Sequence, residues 1–425
     1  MSLSNALFSS VTGLGTASTA ISVIGDNIAN VSTPGFKERR AEFADVLGQS
    51  ISTAGGFSQT GAGSTVSRVG QIFSQGSFET TERPTDLAIE GRGFFILEGQ
   101  VGRNFSRAGI FTFDNAGTLV DSTGLRVQGF GIDPTTLQPV GQLGDIQINA
   151  TLAPPRPSSE VNLSVNLDAN TNPTGPFVPF DPANPDTTAD FQSVTTLYDS
   201  LGDAHPATIY FTQTGVNTWD WNATLPPAAP PGPVAVQGGG ALTFDTDGLL
   251  TGATGSPVTF NFPGGGAPAQ VVDIDFGPVA GVGTGDPTTQ FADASTVNSA
   301  TQDGFAPGTL QGIAVDREGF INASFSNGET RPIAQVALAT FPNVEGLRAI
   351  GNNMFGESRE SGQPLVGSAG TGQFGSVRSN SIEQSNVDLA AQFIRLIMNQ
   401  RAFQANTRTV STTNELLANL VQLGQ

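Results

Sequence analysis

The feature that most constrains the fold is a line of apolar residues with seven-residue spacing at each end of the chain. At the N-terminal end, one such line is formed by Leu7, Leu14, Ile21 and Ile28. A second line, at the alternating three–four offset, is formed by Leu3, Ser10, Ala17, Ile24 and Val31. Two lines at these offsets make a seam along one helix face, so the pattern predicts a helix over residues 1–33 that packs along other helices. Pro34 and Gly35 are expected to end it.

The C-terminal end carries a similar pattern over residues 385–425. Ser385 and Asp388 have the spacing of a capping box, which predicts the start of a helix. One apolar line then recurs at intervals of seven, through Leu389, Leu396, Phe403, Val410 and Leu417. The other faces of this predicted helix are rich in asparagine and glutamine, so only a narrow apolar stripe runs along it.

Neither predicted helix is expected to be stable alone. Gly13, Gly15 and Gly25 lie inside the first, and each costs about 1 kcal/mol relative to alanine. One interpretation is that each helix docks on its own domain. Two weak seams at opposite ends favour instead a coiled-coil-like layer, in which the helices pair and pack against other molecules. The predicted polymer-core residues are Leu3, Leu7, Leu14, Ile21, Ile24, Ile28, Val31, Leu389, Leu396, Phe403, Val410 and Leu417.

Between the ends, short alternating runs typical of strands predict two β-rich domains. Residues 81–148 and 301–384 form the predicted first β domain, which a linker over residues 34–80 joins to the helices. Residues 149–300 hold 19 of the 27 prolines and are predicted to form a second β domain inserted into a loop of the first. The expected fold class is therefore mainly β with long terminal α-helices.

A short motif recurs in the predicted β domains at Asp114–Gly117, Asp245–Gly248 and Asp316–Gly319. At each of these places an aspartate is followed three residues later by a glycine. Aspartate caps turn amides and glycine accepts positive φ, so the motif predicts hairpin turns. A calcium loop is the alternative at Asp245, but the glycine and glutamate that such a loop needs at its sixth and twelfth positions are missing.

The charge and cysteine content exclude several classes of function. The net charge is -19 and Lys37 is the only lysine, which argues against nucleic acid and anionic membranes as partners. The absence of cysteine excludes disulfides and thiolate metal sites. We expect no cleaved signal peptide and no membrane insertion, because no compact apolar run of the roughly 18 residues that span a bilayer is apparent. The chain is therefore expected to be soluble, and any export would need another route.

No catalytic, cofactor or metal site is predicted. His205 is the only histidine, and we expect it in a solvent-exposed loop before Pro206. A phosphate-binding loop is absent from the sequence. A glycosidase-like carboxylate pair stays open as an alternative, since carboxylates are plentiful. A cell-surface binding module is the other competing class, although the sequence shows neither a ligand pocket nor an anchor for it.

One segment at the end of the first predicted helix resembles a known family signature. Residues 27–36 resemble the signature of the flagellar rod and hook axial proteins, through Asn27, Ile28, Ala29, Asn30, Thr33, Gly35 and Phe36. Residues 86–95 are similar to the stretch by which that family enters its first β domain. Residues 385–389 and 400–406 are similar to its C-terminal helix.

The resemblance implies a structural role in a tube. In this family the terminal helices pair as an inner layer, the first β domain forms the middle layer, and an inserted domain lies outside. The implied location is the extracellular flagellum, reached through the flagellar type III export apparatus. The implied partners are copies of the chain itself, the distal rod protein, the hook cap protein and the hook–filament junction protein.

Within the family, the insert over residues 149–300 favours the hook, because rod proteins are usually shorter and lack a large outer domain. The hook is the curved joint that passes motor torque to the filament. Residues 44–68 favour the alternative, a distal rod protein, because they are longer than a minimal hook protein requires and resemble a segment that stiffens the distal rod. Both members of the family stay open at this point.

Overall fold

The computed structural model separates into two compact units. It describes residues 3–53, 56–99, 102–133, 136, 138–148, 152–172, 175–227, 232–263, 269–279 and 285–423. Unit 1 comprises Met1–Asn149, Gly312–Ala323 and Thr330–Gln425, and unit 2 comprises Ala150–Gln311 and Ser324–Glu329.

The elements follow one another along the chain in three groups. The first group is α1 (Leu3–Ala29), β1 (Arg39–Thr53), β2 (Gly56–Gln71), β3 (Phe78–Thr80), β4 (Leu87–Glu90), β5 (Phe94–Gly99), β6 (Gly102–Ser106), β7 (Phe111–Phe113), β8 (Leu119–Asp121), β9 (Arg126–Ile132) and β10 (Pro139–Asp145). The second group is β11 (Leu152–Ala153), β12 (Glu160–Asn166), α2 (Pro185–Thr188), β13 (Phe191–Tyr198), β14 (Ala204–Gly215), β15 (Thr218–Leu225), β16 (Ala235–Phe244), β17 (Leu250–Ala253), β18 (Val258–Phe260), β19 (Gln270–Asp275) and β20 (Thr296–Gln302). The third group is β21 (Gly308–Val315), β22 (Phe320–Phe325), β23 (Thr330–Thr340), a 3-10 turn (Val344–Gly346), β24 (Arg348–Gly351), β25 (Met354–Gly356), β26 (Leu365–Ser368), β27 (Ser376–Ser379), β28 (Ser381–Glu383) and α3 (Leu389–Leu423).

Helix α1 ends at Ala29, earlier than Pro34 and Gly35 were expected to stop it. The reason is local hydrogen bonding by polar side chains. The amide of Asn30 donates to the carbonyl of Asp26 at 2.9 Å, and the Thr33 hydroxyl donates to the Asn30 side chain at 3.1 Å. These bonds hold the chain in a turn after the last helical residue.

Helix α1 is also more apolar than the sequence analysis allowed. Over Asn5–Ala29 it is long and apolar enough to cross a membrane by length and composition. The expectation that no segment is long and apolar enough was wrong. The glycine, alanine and threonine residues of α1 interrupt its run of large apolar residues but add no charge to the segment. Helices of soluble proteins satisfy the same criterion, so the expected lack of membrane insertion stays a prediction.

The segment expected as a linker, residues 34–80, contains a long antiparallel hairpin. Strands β1 and β2 pair from Arg39 opposite Gln71 to Thr53 opposite Gly56. Register shifts after Glu42 and Asp45 break the alternation of apolar and polar residues, which explains why the sequence pattern did not indicate two strands.

Unit 1 is built around one sheet, whose strands differ in length and whose two faces are both covered. Its strand order is β22-β23-β9-β5-β6-β25-β24, with β10 paired to β9 and β26 paired to β23. Alternate residues of β5 enter different cores: Phe95 packs with Phe111, and Phe94 packs with Phe341. Because both faces are buried, β5 reads as a continuous apolar run rather than an alternating one.

Unit 2 is a sandwich of two sheets. One sheet has the order β18-β19-β12-β20 and the other runs β13-β14-β15-β16-β17. Their facing side chains form a single core. Trp219 and Trp221 lie on the inner face of β15 and are fully buried. The Trp221 indole donates to the carbonyl of Thr254 at 3.0 Å, so its polar atom is satisfied inside the core.

The three predicted aspartate–glycine turns are confirmed. In each, the aspartate carboxylate accepts at least one backbone amide of the turn, as Asp245 does from Asp247 and Leu249 at 2.9 and 2.8 Å. The glycines have positive φ, between 75° and 80°. Two further turns of this kind, Asp121–Gly124 and Asp199–Gly202, were missed by the sequence analysis although they have the same spacing.

The expected environment of His205 was wrong. His205 lies in β14 with its side chain only 15% exposed. Its ring stacks on Phe262, with centroids 4.5 Å apart, and its Nε2 atom is 3.2 Å from the Asp199 carboxylate. The stacking partner Phe262 is 57 residues away in the sequence, so a local turn pattern does not reveal it.

Candidate functional site: the junction of the terminal helices

Helices α1 and α3 pack against each other in opposite directions. The side-chain amide of Asn27 donates to Gln392 at 3.3 Å, and a Cβ placed on Gly13 would lie 2.7 Å from the Asn406 amide. Moving 14 residues back along α1 therefore corresponds to moving 14 residues forward along α3. The two contacts fix an antiparallel register within unit 1.

The inward face of α1 contains the second predicted line and is offset by one residue from the first. The residues that lie against the rest of unit 1 are Ser10, Gly13, Ala17, Ala20, Ile24 and Asn27. Ile24 belongs to the second predicted line and is buried. The first predicted line is only half-buried, at Leu7, Leu14, Ile21 and Ile28. The second predicted line therefore faces inward at Ser10, Ala17 and Ile24, whereas the first line lies one residue away from the inward positions Gly13, Ala20 and Asn27.

The inward face of α3 alternates polar and apolar residues. Gln392 and Thr413 are buried, and Asn399, Asn406, Leu396 and Val410 are half-buried on the same face. The predicted residues Leu389, Phe403 and Leu417 are 38–40% exposed in the single chain. Leu3 begins α1, and its side chain lies outside the described part of the chain; Val31 lies in the turn after α1 and is half-buried. A packing role for the twelve predicted residues in a polymer stays a prediction.

Asn27 is the central residue of the family signature in this structure. It is almost fully buried, and its amide donates to the carbonyl of Arg39 at 2.8 Å while its oxygen accepts the Arg39 backbone N–H at 2.9 Å. This pair of bonds ties the last turn of α1 to the first residue of the hairpin. With the bond to Gln392, the side chain joins α1, β1 and α3.

The signature positions after Asn27 shape the turn that leaves α1. Gly35 has φ +70°, and a Cβ there would lie 2.5 Å from the Ala108 backbone nitrogen, so only glycine fits. Phe36 is buried directly after it. The signature residues Asn30 and Thr33 supply the hydrogen bonds of the turn described above. Ile28 is half-buried and Ala29 is exposed, so neither is explained by contacts within one chain.

A buried ion cluster lies beside this turn and was missed by the sequence analysis. The Lys37 ammonium is 2.7 Å from the Glu383 carboxylate, with side-chain exposures of 1% and 0%. The Arg107 guanidinium is 3.5 Å from the other Glu383 oxygen and lies over the Phe94 ring. Burial lowers the pKa of Lys37, and Glu383 opposes that shift. The only signal in the sequence was that the single lysine directly follows the signature.

The start of α3 is fixed by a different cap from the one predicted. Asp388 itself accepts the backbone amides of Ala390 and Ala391, at 2.9 and 3.3 Å, and is therefore the N-cap. Ser385 instead accepts the amide of Val387. The expected capping box from Ser385 to Asp388 was wrong, because α3 begins three residues later than that pattern requires.

The hairpin lies close against α1. Gly63 has φ +103°, and a Cβ there would lie 2.0 Å from the Thr12 hydroxyl and 3.1 Å from the Ser9 Cα. The neighbouring Ser64 hydroxyl is 3.2 Å from that of Thr16. Hydroxyls and a glycine therefore allow a close approach of backbone to backbone along the middle of α1.

The remaining faces of both helices expose large apolar side chains. On α3, Phe393, Ile394, Ile397 and Met398 are 49–65% exposed. On α1, Phe8 and Val11 are 65% and 50% exposed. The helix pair thus buries many small and polar residues and leaves large apolar side chains exposed, which is unusual for an isolated helical hairpin. Such a surface indicates contact with other molecules.

The described residues contain no group of three or more acidic or histidine side chains arranged to hold a metal ion. The clefts beside the junction are lined by polar groups such as Asp26, Asn30 and Asn352. Their contacts join the helices to the β layer.

Models of flagellar axial protein families match most of the chain. The flagella basal body rod protein family matches residues 7–37, the flagellar hook protein FlgE/F/G D1 domain matches residues 88–168, the flagellar basal body protein FlaE D2 domain matches residues 166–305, and the flagellar basal body rod FlgEFG protein C-terminal family matches residues 378–423. These matches define a structural protein of the bacterial flagellum.

Whole-chain relatives narrow the class. The chain is 34% identical to flagellar hook protein FlgE of Borreliella burgdorferi, over 98% of this chain and 99% of the relative. It is 34% identical to flagellar hook protein FlgE of Escherichia coli K12, over 97% and 98% respectively. The chain belongs to the flagellar hook protein FlgE family. The crystal structure of Helicobacter pylori flagellar hook protein FlgE2 shares the fold at 16% identity and a TM-score of 0.53, covering 72% of this chain and all of that one.

Proposed function

We propose that the chain is the structural subunit of the flagellar hook, polymerising into a curved hollow tube that transmits motor torque and lets exported subunits pass. The observation that carries the proposal is that the pair of α1 and α3 leaves large apolar side chains exposed. Small and polar residues hold α1 to α3, while Phe393, Ile397 and Met398 of α3 stay exposed. A polymer in which neighbours cover these side chains accounts for a surface that a single chain leaves in water.

In the proposed tube the domains have separate roles. The helices of residues 1–33 and 385–425 form a coiled-coil-like inner layer, residues 81–148 and 301–384 form the middle layer, and residues 149–300 form the inserted outer domain. Lateral contact along the helices gives torsional stiffness. The proposed partners are the distal rod protein, the hook cap protein, the hook–filament junction protein and the type III export apparatus, through which the chain leaves the cell without a cleaved signal peptide.

Polymerisation is tested with one helix position and two substitutions. Ile397→Asp places a charge in a surface proposed to be buried without a partner, and we expect it to block incorporation into sedimentable polymer. Ile397→Met keeps the apolar surface and is the matched control, expected to assemble. If Ile397→Asp polymerised as well as the control, the exposed face of α3 would not be the assembly surface.

The state of the helices before assembly gives a second test. Their inner positions bury little apolar surface, so we expect the monomer to show little helix and to gain helix on assembly. Far-ultraviolet circular dichroism measures both states. A monomer that already has the helix content of α1 and α3 would contradict the proposal.

The distal rod protein is a second candidate, because the hairpin of β1 and β2 fills the segment over residues 44–68 that resembles a stiffening element. Gold-labelled antibody raised against residues 149–300 distinguishes the two. Gold along the curved segment of isolated hook–basal bodies supports the hook. Gold restricted to the straight segment below it supports a rod protein.

A further inference from the structure

The net charge is divided very unevenly between the two units. Unit 2 holds 16 of the 37 acidic residues and only one of the 18 arginines and lysines, which gives it a charge of -15. Unit 1 holds the other 21 acidic and 17 basic residues, which gives -4. Most of the charge of -19 therefore belongs to the domain that carries the fewest cations.

The single cation of unit 2 is already used within the unit. Arg156 lies 3.1 Å from the Asp303 carboxylate. Asp303 also accepts backbone amides of Ser159 and Glu160, at 2.7 and 3.0 Å. Burial acts to raise the pKa of Asp303, but these hydrogen bonds and Arg156 outweigh it and lower the pKa, so the carboxylate stays ionised. Arg156 is therefore already paired with a carboxylate of its own unit.

Several carboxylates of unit 2 lie side by side on one exposed sheet face. Glu160 of β12 is directly opposite Asp273 of β19, and Asn162 is directly opposite Asp275. All four residues are exposed. Adjacent like charges on a sheet are unfavourable for the isolated fold. No described lysine or arginine forms an ion pair with Glu160, Asp273 or Asp275.

We infer that unit 2 is an electrostatic spacer: in the polymer, neighbouring copies of unit 2 repel one another, and the ionic strength sets how strongly. The inference rests on the proposed function, since it needs copies held side by side. Two copies of unit 2 have no spare arginine or lysine with which to pair across their contact. Bending a tube brings these units together on the inside of the curve, so their repulsion adds to the bending stiffness.

Screening gives the expected dependence on salt. The Debye length is about 30 Å at 0.01 M and about 8 Å at 0.15 M salt, so the repulsion reaches farther between neighbours at low salt. We expect the wild-type polymer to be about twofold stiffer in 10 mM than in 150 mM NaCl. The bending persistence length, measured from electron micrographs of assembled polymers, is the readout.

Two variants, each with five substitutions, distinguish the effect of where the removed charges lie from the effect of the total charge. The unit 2 variant removes exposed carboxylates by Glu160→Gln, Asp186→Asn, Asp247→Asn, Asp286→Asn and Asp293→Asn. The unit 1 variant is the matched control, with Glu82→Gln, Glu90→Gln, Glu318→Gln, Glu357→Gln and Glu360→Gln. Both lower the magnitude of the net charge by five. We expect the unit 2 variant to lose most of the salt dependence and the unit 1 variant to keep it.

The outcomes are distinguishable from failure of the proposed function. If the bending stiffness of the wild-type polymer does not change with salt concentration, the inference is overturned and the proposed function is not. Equal loss of salt dependence in both variants also overturns it, because total charge rather than unit 2 would then be responsible. A wild type that forms no polymer overturns the proposed function and the inference with it. Should the fivefold unit 2 variant not fold, Asp247→Asn with Asp293→Asn and the wild-type salt series decide the question, and the fluorescence of the buried Trp219 and Trp221 reports folding.

Discussion

Replacing Lys37 with methionine should strongly destabilise unit 1. The change keeps the length of the side chain but removes the ammonium that lies 2.7 Å from the buried Glu383 carboxylate. Removing one partner of a buried ion pair costs about 3–5 kcal/mol, because the other charge is left without compensation. Glu383 would keep Arg107 at 3.5 Å and the Gly76 amide at 2.9 Å, so we expect the lower end of that range, about 3 kcal/mol.

Hydrogen exchange measures this loss for each unit separately. A loss of about 3 kcal/mol corresponds to about a hundredfold faster exchange of the most protected amides in β4 and β5 of unit 1. Amides of β14 and β15 in unit 2 should exchange as in the wild type. A change of less than about 1 kcal/mol in unit 1 would mean that the ion pair is no more important than a surface pair.

Arg126→Met is the matched control for this experiment. Its guanidinium also lies 2.7 Å from a carboxylate, that of Asp145, but the two side chains are 51% and 23% exposed. Water and ions screen such a pair, so we expect a loss below about 1 kcal/mol. An equal effect of the two substitutions would refute the argument that burial decides the strength of the contact.

Three further predictions address other parts of the molecule. Gly63→Ala should lower the free energy of unfolding by about 1–3 kcal/mol and speed hydrogen exchange in α1, since a Cβ there meets Thr12 and the φ is positive. Gly13→Ala is the control and should be neutral or favourable, because only the movable Asn406 side chain opposes the added Cβ. Asp199 has a lowered pKa, because hydrogen bonds from Asp203, His205 and Leu201 outweigh the effect of burial, so unit 2 should lose stability as the pH falls through that pKa. Asp199→Asn should reduce this acid sensitivity in tryptophan fluorescence, and a wild type whose stability is flat at acid pH would contradict the prediction. Leu396→Asp should prevent incorporation into sedimentable polymer, because the charge would be buried without a partner, and normal incorporation would show that the seam of α3 is not used.

The sequence indicated element types well where the signal was local. Heptad spacing predicted both terminal helices, and the aspartate–glycine spacing predicted turns that the structure confirms at Asp114, Asp245 and Asp316. These features depend on residues within a few positions of each other, so local pattern and local chemistry agree. The hairpin over residues 39–71 was missed, because its register shifts interrupt the period of two on which strand prediction depends.

The two terminal helices, the β-rich middle and membership of the axial protein family could all be predicted from the sequence, because periodicity, turn chemistry and a short signature are properties of neighbouring residues. Which residues of α1 face inward beside the second predicted line followed from the packing of the whole chain. Gly13 and Asn27 take inner positions because α3 approaches closely there, and such a contact admits only a small or hydrogen-bonding side chain. The tertiary structure also decided that Lys37 would be buried against Glu383, 346 residues away. Burial and pairing arise from contacts between distant parts of the chain, so no local pattern specifies them.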